Sequence, residues 1–140
     1  MHSNPQTLLA FDFGTKRIGL AVGQTLTQQA TPLRSLHSQQ NIPDWPGIIA
    51  LIDTWQPHAL VVGIPLNMDG SEQPMTQRAK HFAKQLLDKT SLPVHHADER
   101  LTTLEARNQA FEHGGCKDLA KADIDSIAAQ IILQNYLDTQ

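Results

Sequence analysis

The chain is poor in cysteine, with one, Cys116, among 140 residues. A single thiol closes no internal disulfide and leaves a cysteine-based zinc site without ligands, so a free thiol in a reducing compartment is expected. Long hydrophobic runs are missing as well. Nothing approaches the ~20 apolar residues of a membrane span. Met1 to Gln6 is short and polar, without the basic and apolar regions of a secretory signal. These absences predict a cytoplasmic protein with no membrane partner. Basic excess is lacking too: 11 Lys and Arg stand against 14 Asp and Glu, a net charge of −3. That counts against a general nucleic-acid binder. It does not exclude a nuclease, because a carboxylate site takes its positive charge from metal. Local cations would then have to hold a nucleic acid, and the candidates are Lys16, Arg17, Arg34, Arg78, Lys80 and Lys84. Repeats, low-complexity tracts and linkers are also absent, and the length suits one domain over 1–140.

What is present reads as an α/β chain. Thr7 to Phe13 is apolar and predicts a buried strand, Ile18 to Gly23 a second, and Thr31 to His37 a third at an edge. Asp44 suits an N-cap with Pro46 in the first turn, and Trp45, Ile48, Ile49, Ile52 and Trp55 recur at helical spacing up to Pro57. Both tryptophans are expected in the core. Ala59 to Gly63 predicts a buried parallel strand, followed by a loop to Gln73. A helix starts near Met75, with Ala79, Phe82, Ala83, Leu86 and Leu87 on one face. Pro93 to Ala97 is a last strand. Thr102 and Glu105 have capping-box spacing for another helix, stopped by Gly114 and Gly115. Ile124 to Leu137 is the final helix, apolar on more than one face. This order predicts a mixed five-stranded sheet, with the first three strands antiparallel, the last two parallel, and helices on both faces.

Three carboxylates stand out. Asp12 lies near the end of an apolar strand, where a dry, unpaired carboxylate costs several kcal/mol; a turn-capping role is its ordinary alternative. Asp98 and Glu99 close the last strand, at the kind of strand end where open α/β sheets bind ligands; a surface ion pair with Arg100 is the plain alternative. Asp125 is expected in the first turn of the final helix, where a carboxylate gains from the helix N-terminus. Asp123 can serve as that helix's N-cap, and Asp125 aligns with Ala128, Ala129 and Ile132, so its face turns partly to the core. Converged, three such acids suit Mg²⁺ or Mn²⁺. Two ions can stabilise both the attacking water and the leaving oxygen of phosphodiester hydrolysis.

The segment Gly14-Thr15-Lys16-Arg17 beside Asp12 offers backbone N–H groups and two cations to a phosphate, or else it is an ordinary hairpin. Gly63 to Ser71 is a long loop leaving a strand end, a favoured place for binding. His95 and His96 are adjacent, so on a strand they point to opposite faces and read as structural.

Leu9 to Gly23, containing Asp12-Phe13-Gly14-Thr15-Lys16-Arg17-Ile18-Gly19, resembles the opening motif of the YqgF family of RuvC-like, RNase H-fold proteins. Val62 to Ser71 resembles the family's central loop. Asp98-Glu99-Arg100-Leu101-Thr102-Thr103 and Asp125-Ser126-Ile127-Ala128-Ala129 resemble its two C-terminal motifs. The resemblance runs in order over nearly the whole chain. It implies an RNase H-like nuclease, acting on Holliday junctions or maturing the 5′ end of pre-16S rRNA in ribosome biogenesis. It also implies Asp12, Glu99 and Asp125 as catalytic residues and metal ligands, with Asp123 less well placed as a fourth acid.

The resulting expectation is a hydrolase cutting structured RNA with two Mg²⁺ or Mn²⁺ ions. Asp12 would bridge the ions. Gly14, Thr15, Lys16, Arg17, Asn67 and Arg100 would contact substrate. A pre-ribosomal particle is a candidate partner, and the protein would be a monomer or weak homodimer. The rivals are the same chemistry on branched DNA, a nucleotide-binding protein resembling actin-like and sugar-kinase folds, and a non-catalytic RNA-binding assembly factor.

Overall fold

The computed structural model describes residues 5–99 and 121–139, with 121–123 through their backbone alone. Arg100, Cys116 and the helix expected after Thr102 lie outside the described residues. Three strands, β1 (Thr7–Phe13), β2 (Arg17–Gln24) and β3 (Gln29–His37), run antiparallel in sequence. They are followed by α1 (Trp45–Trp55), β4 (Ala59–Ile64), α2 (Pro74–Thr90) and β5 (Val94–Asp98). The last element is α3 (Lys121–Asp138). The sheet order is β3-β2-β1-β4-β5, with β1–β4 and β4–β5 parallel. This is the expected mixed sheet, and its inner strand β4, between β1 and β5, is buried along all six residues.

Local chemistry sets the helix ends. The Asp44 carboxylate accepts the Gly47 N–H at 3.0 Å, and Pro46 sits in the first turn, where its missing donor costs nothing. Gln56 ends α1 in the left-handed region at φ 47°, its N–H bonded to Ile52 O at 2.8 Å. Gln73 and Thr76 form a reciprocal capping box at the start of α2.

The two sheet faces differ in side-chain size. Leu9, Phe11, Leu20, Leu60 and Val62 pack with Ile48 of α1 and with Phe82 and Leu86 of α2. The other face is mostly small: Ala10, Ala21, Ala30 and Ala59 meet Ala129, Ile132, Leu133 and Leu137 of α3. Gly19 completes that floor, since a Cβ there would meet the Asp125 carbonyl oxygen at 2.1 Å. The backbone of α3 therefore lies almost on β2. Its other apolar residues, Ile127 and Ile131, form a separate cluster, as the two-faced pattern of the helix predicted.

Two expectations need correction. The final helix already includes Lys121, so Asp123 is inside it and not its N-cap, and Asp125 is beyond the first turn. No Gly or Pro at Lys121–Asp123 stops the helix, so it starts before its apolar pattern does. Trp45 stacks on Phe82 with ring centroids 5.5 Å apart, as a core residue should. Trp55, at the last position of α1, is instead 37% exposed.

Candidate active site

Because β1, β4 and β5 are parallel, their C-terminal ends share one edge of the sheet. Asp12 projects from β1 on the α3 face, the alternation that puts Leu8 and Ala10 against α3 and Phe11 and Phe13 toward α2. Glu99 follows β5 directly, with its N–H on the Ile64 carbonyl. Between them lies Gly63 of β4, where a Cβ would sit 2.3 Å from Glu99 Oε2 and 2.5 Å from Ile132 Cδ1. The missing side chain is the space through which Glu99 reaches Asp12.

The two carboxyl groups are hydrogen bonded to each other, which requires a proton between them. Burial pushes Asp12 up to about 7; the Glu99 hydrogen bond opposes this and the Asp125 charge adds to it. Burial also raises Glu99, to about 9, helped by the charges of Asp12 and Asp98 and by the bond to Asp12. Two desolvated acids cannot both ionise cheaply at this distance, so at neutral pH the pair keeps a proton.

Asp125 approaches from α3, on the turn that the Gly19 floor lets close in. Ser126 beside it is buried and accepts the Leu20 N–H at 3.2 Å, fixing the helix in register on β2. The Asp125 carboxylate accepts from Arg17 Nε at 2.9 Å. Both side chains are partly exposed, so the pair contributes little to stability. Its effect is orientation: Arg17, expected to hold phosphate, is engaged by a carboxylate. Among the described residues, no three acids, histidines or thiols close into a finished metal cage.

The donor set nevertheless fits a hard divalent cation. Carboxylate oxygens come from three elements, two of these carboxyl groups are desolvated, and a dication would replace the proton that now holds Asp12 and Glu99 together.

The remaining predicted residues are placed as follows. Gly14 turns so tightly that a Cβ would lie 2.6 Å from the Arg17 carbonyl oxygen. Thr15 is half-buried and Lys16 exposed. Asn67 braces its own loop, its amide donating to Ser71 Oγ at 3.0 Å and to the Glu72 carbonyl at 3.3 Å. Lys80, a candidate cation, is bound to Glu72 at 2.7 Å, and with Gln77 it holds that carboxylate below its usual range. His95 and His96 take opposite faces of β5, with the His95 ring 5.5 Å from that of Tyr136. Gly63, Gly19 and Ser126 were not singled out as site residues; the alternation Gly19-Ala21-Gly23 on β2 was the available signal for a close-packed helix.

A family model described as "RuvX: Holliday junction resolvase" matches residues 6–139. The chain belongs to the RuvX family. Relatives provisionally named pre-16S rRNA nucleases include one from Actinobacillus pleuropneumoniae serotype 5b, 54% identical over 96% of this chain and 98% of its own. Another, from Pectobacterium carotovorum, is 50% identical over 96% of this chain and 97% of its own. In fold, this RuvX chain is similar to Thermus thermophilus RuvC bound to a Holliday junction, with TM-score 0.60, 15% identity, and 96% and 94% of the two chains covered. It is also similar to a fowlpox virus resolvase with junction DNA, with TM-score 0.57, 11% identity, and coverage of 95% and 97%. The fold is thus that of the RuvC-like, RNase H-like nucleases, and the family makes this chain a hydrolytic nuclease. No helix among the described residues is long and apolar enough to cross a membrane.

Proposed function

We propose that this RuvX protein is a metal-dependent nuclease that trims the 5′ end of pre-16S rRNA. The observation that carries the metal-dependent reading is the half-buried Asp12–Glu99 pair at the sheet edge, with the Asp125 charge felt by Asp12. The names of relatives at 50–54% identity support the RNA substrate. Asp12, Glu99 and Asp125 would hold Mg²⁺ or Mn²⁺, two ions in the full site, and such ions supply Lewis-acid stabilisation of the attacking and leaving oxygens. The chain's own part is to give up the shared carboxyl proton on loading and to hold the three acids from separate elements. Lys16 and the N–H groups of the Gly14–Thr15 turn would hold a backbone phosphate. Arg17 would fix Asp125 until phosphate competes for its guanidinium. Asn67 would keep its loop in shape near the strand, and Arg100 joins the set by its place in the motif. Such a substrate sets the work in the bacterial cytoplasm, on an assembling ribosomal particle, with a monomer or weak homodimer sufficing.

A second reading, cleavage of branched DNA, is favoured by the family description and by the fold shared with two junction-bound resolvases. The test is Mn²⁺-dependent cleavage of a precursor-16S fragment and of a four-way DNA junction, by the parent and by Asp12→Asn. Cleavage of the RNA by the parent alone is expected. Turnover by Asp12→Asn overturns the site, and cleavage of the junction with the RNA intact overturns the substrate.

A further inference from the structure

A cavity opens at the same end of β1 as the acidic site but on the opposite face of the sheet. It encloses about 400 Å³ and is lined by Phe13 and Thr15 from β1 and its turn, Asn41 from the loop before α1, and Arg78, His81 and Gln85 from α2. Its volume falls within the range of pockets that hold one small ligand. Asp12 and Phe13 are consecutive, so the strand end that carries the first carboxylate on one face carries an aromatic ring on the other. Phe13 is half-buried, packed 5.0 Å from Phe82. Arg78, His81 and Gln85 recur at i, i+3 and i+7 and form one stripe of α2 along the cavity.

Apart from Gln77, which donates to Glu72, the polar side chains lining the cavity are uncommitted. Arg17 is bound to Asp125, Lys80 to Glu72, and Lys89 lies over the Trp45 ring. Among the described residues, the side chains of Thr15, Asn41, Arg78, His81 and Gln85 make no hydrogen bond or ion pair. An aromatic wall, two side-chain amides that each carry a donor and an acceptor, and a free guanidinium are the elements that hold an unpaired base and its phosphate. In a chain of net charge −3, a cation left unpaired at this end of β1 is also a place where a polyanion gains.

We infer that this cavity binds one unpaired nucleotide of the RNA strand being cut, with the base among Phe13, Asn41 and Gln85 and the phosphate on Arg78. The inference rests on the nuclease reading above. It adds a substrate requirement: a single-stranded nucleotide beside the cut.

The experiment is fluorescence anisotropy with labelled single-stranded RNA 12-mers of each base and with the same sequences as duplexes. It is run on the full chain with Ca²⁺, and cleavage is assayed separately with Mn²⁺. The parent is expected to prefer single strands. Arg78→Ala should weaken that binding roughly tenfold and lower the salt slope by about 0.7. Gln85→Ala should flatten the preference among bases while leaving the salt slope unchanged. Lys89→Ala, on α2 but outside the cavity and over the Trp45 ring, should bind as the parent does. Arg78 and Lys89 are exposed and Gln85 is half-buried, and matching thermal melts confirm folding. Equal binding by parent, Arg78→Ala and Gln85→Ala overturns the inference, as does a parent that does not favour single strands. If the variants lose binding while the parent never cuts, the cavity stands and the nuclease reading falls. If the parent cuts and the variants bind normally, the reverse holds.

Discussion

At the scale of single residues, the site's behaviour follows from where protons sit. Glu99 is raised from 4.5 to about 9 and Asp12 from 3.8 to about 7, both chiefly by burial. An acid with a raised pKa stabilises the fold fully below its unfolded value. That stabilisation is lost as pH rises through the folded value, because the unfolded chain ionises freely while the folded one cannot. In the metal-free protein the pair's contribution to stability should therefore be fully present below about pH 4 and be lost as pH rises through about 7 and on toward 9. Glu99→Gln, which keeps a hydrogen bond to Asp12 without the second charge, should flatten that curve. In calorimetry with chelator at pH 8 it should melt several degrees above the parent, and it should not cut. Parallel pH–stability curves for the two proteins would show that the carboxyl pair does not form. Gly63→Ala tests the geometry that brings the pair together. With its Cβ 2.3 Å from Glu99 Oε2 and 2.5 Å from Ile132 Cδ1, it should cost about 1–3 kcal/mol in urea unfolding. It should also lose cleavage, because Glu99 is pushed off Asp12; full activity in a destabilised protein would detach Gly63 from the site.

At the scale of elements, α3 is fastened to the edge of the sheet by side-chain amides. The Gln134 carbonyl oxygen accepts the Ala30 N–H at 3.1 Å and its amide donates to the Gln28 carbonyl at 2.7 Å, while Gln130 donates to the Ala30 carbonyl at 3.0 Å. Backbone groups of β3 that would otherwise face solvent at an edge are paired in this way. Gln134→Ala should lower stability by about 1–3 kcal/mol, read as a shift in urea midpoint at constant slope. No shift would mean that water replaces the amide without loss. Elements were the most legible feature of the sequence. The strand ends of β1 and β2, the Asp44 cap and the halt before Pro57 all follow from local chemistry. The clamp was not legible, since Gln130 and Gln134 look like ordinary polar positions until β3 is known to run past them. Trp55 was misplaced for the same reason: helical spacing gives a face, and only the packing of neighbouring elements decides which end of that face is covered. Asp125 was recognised as an acid turned partly to the core, but its partner Arg17 lies 108 residues away.

At the scale of the whole molecule, the order of elements in the sheet differs from their order in the chain. β1, made first, pairs with β4 across the intervening meander and α1, and the face carrying Ala10, Ala21, Ala30 and Ala59 is covered by α3, the last described element. The sequence order of strands and helices was enough to predict this mixed sheet, because helix-linked strands must join in parallel. The approach of Asp12 to Glu99 at one strand edge could be anticipated in principle, but not the shared proton, which depends on the space left by Gly63. Chain order also has a consequence during synthesis. A nascent chain growing at roughly 5–20 residues per second has its strands long before it has α3. Until that helix is made and docks, one side of the sheet stays open and Asp125 is nowhere near Asp12. With Asp125 in the site as proposed, a ribosome translating this message carries no competent nuclease before α3 is made.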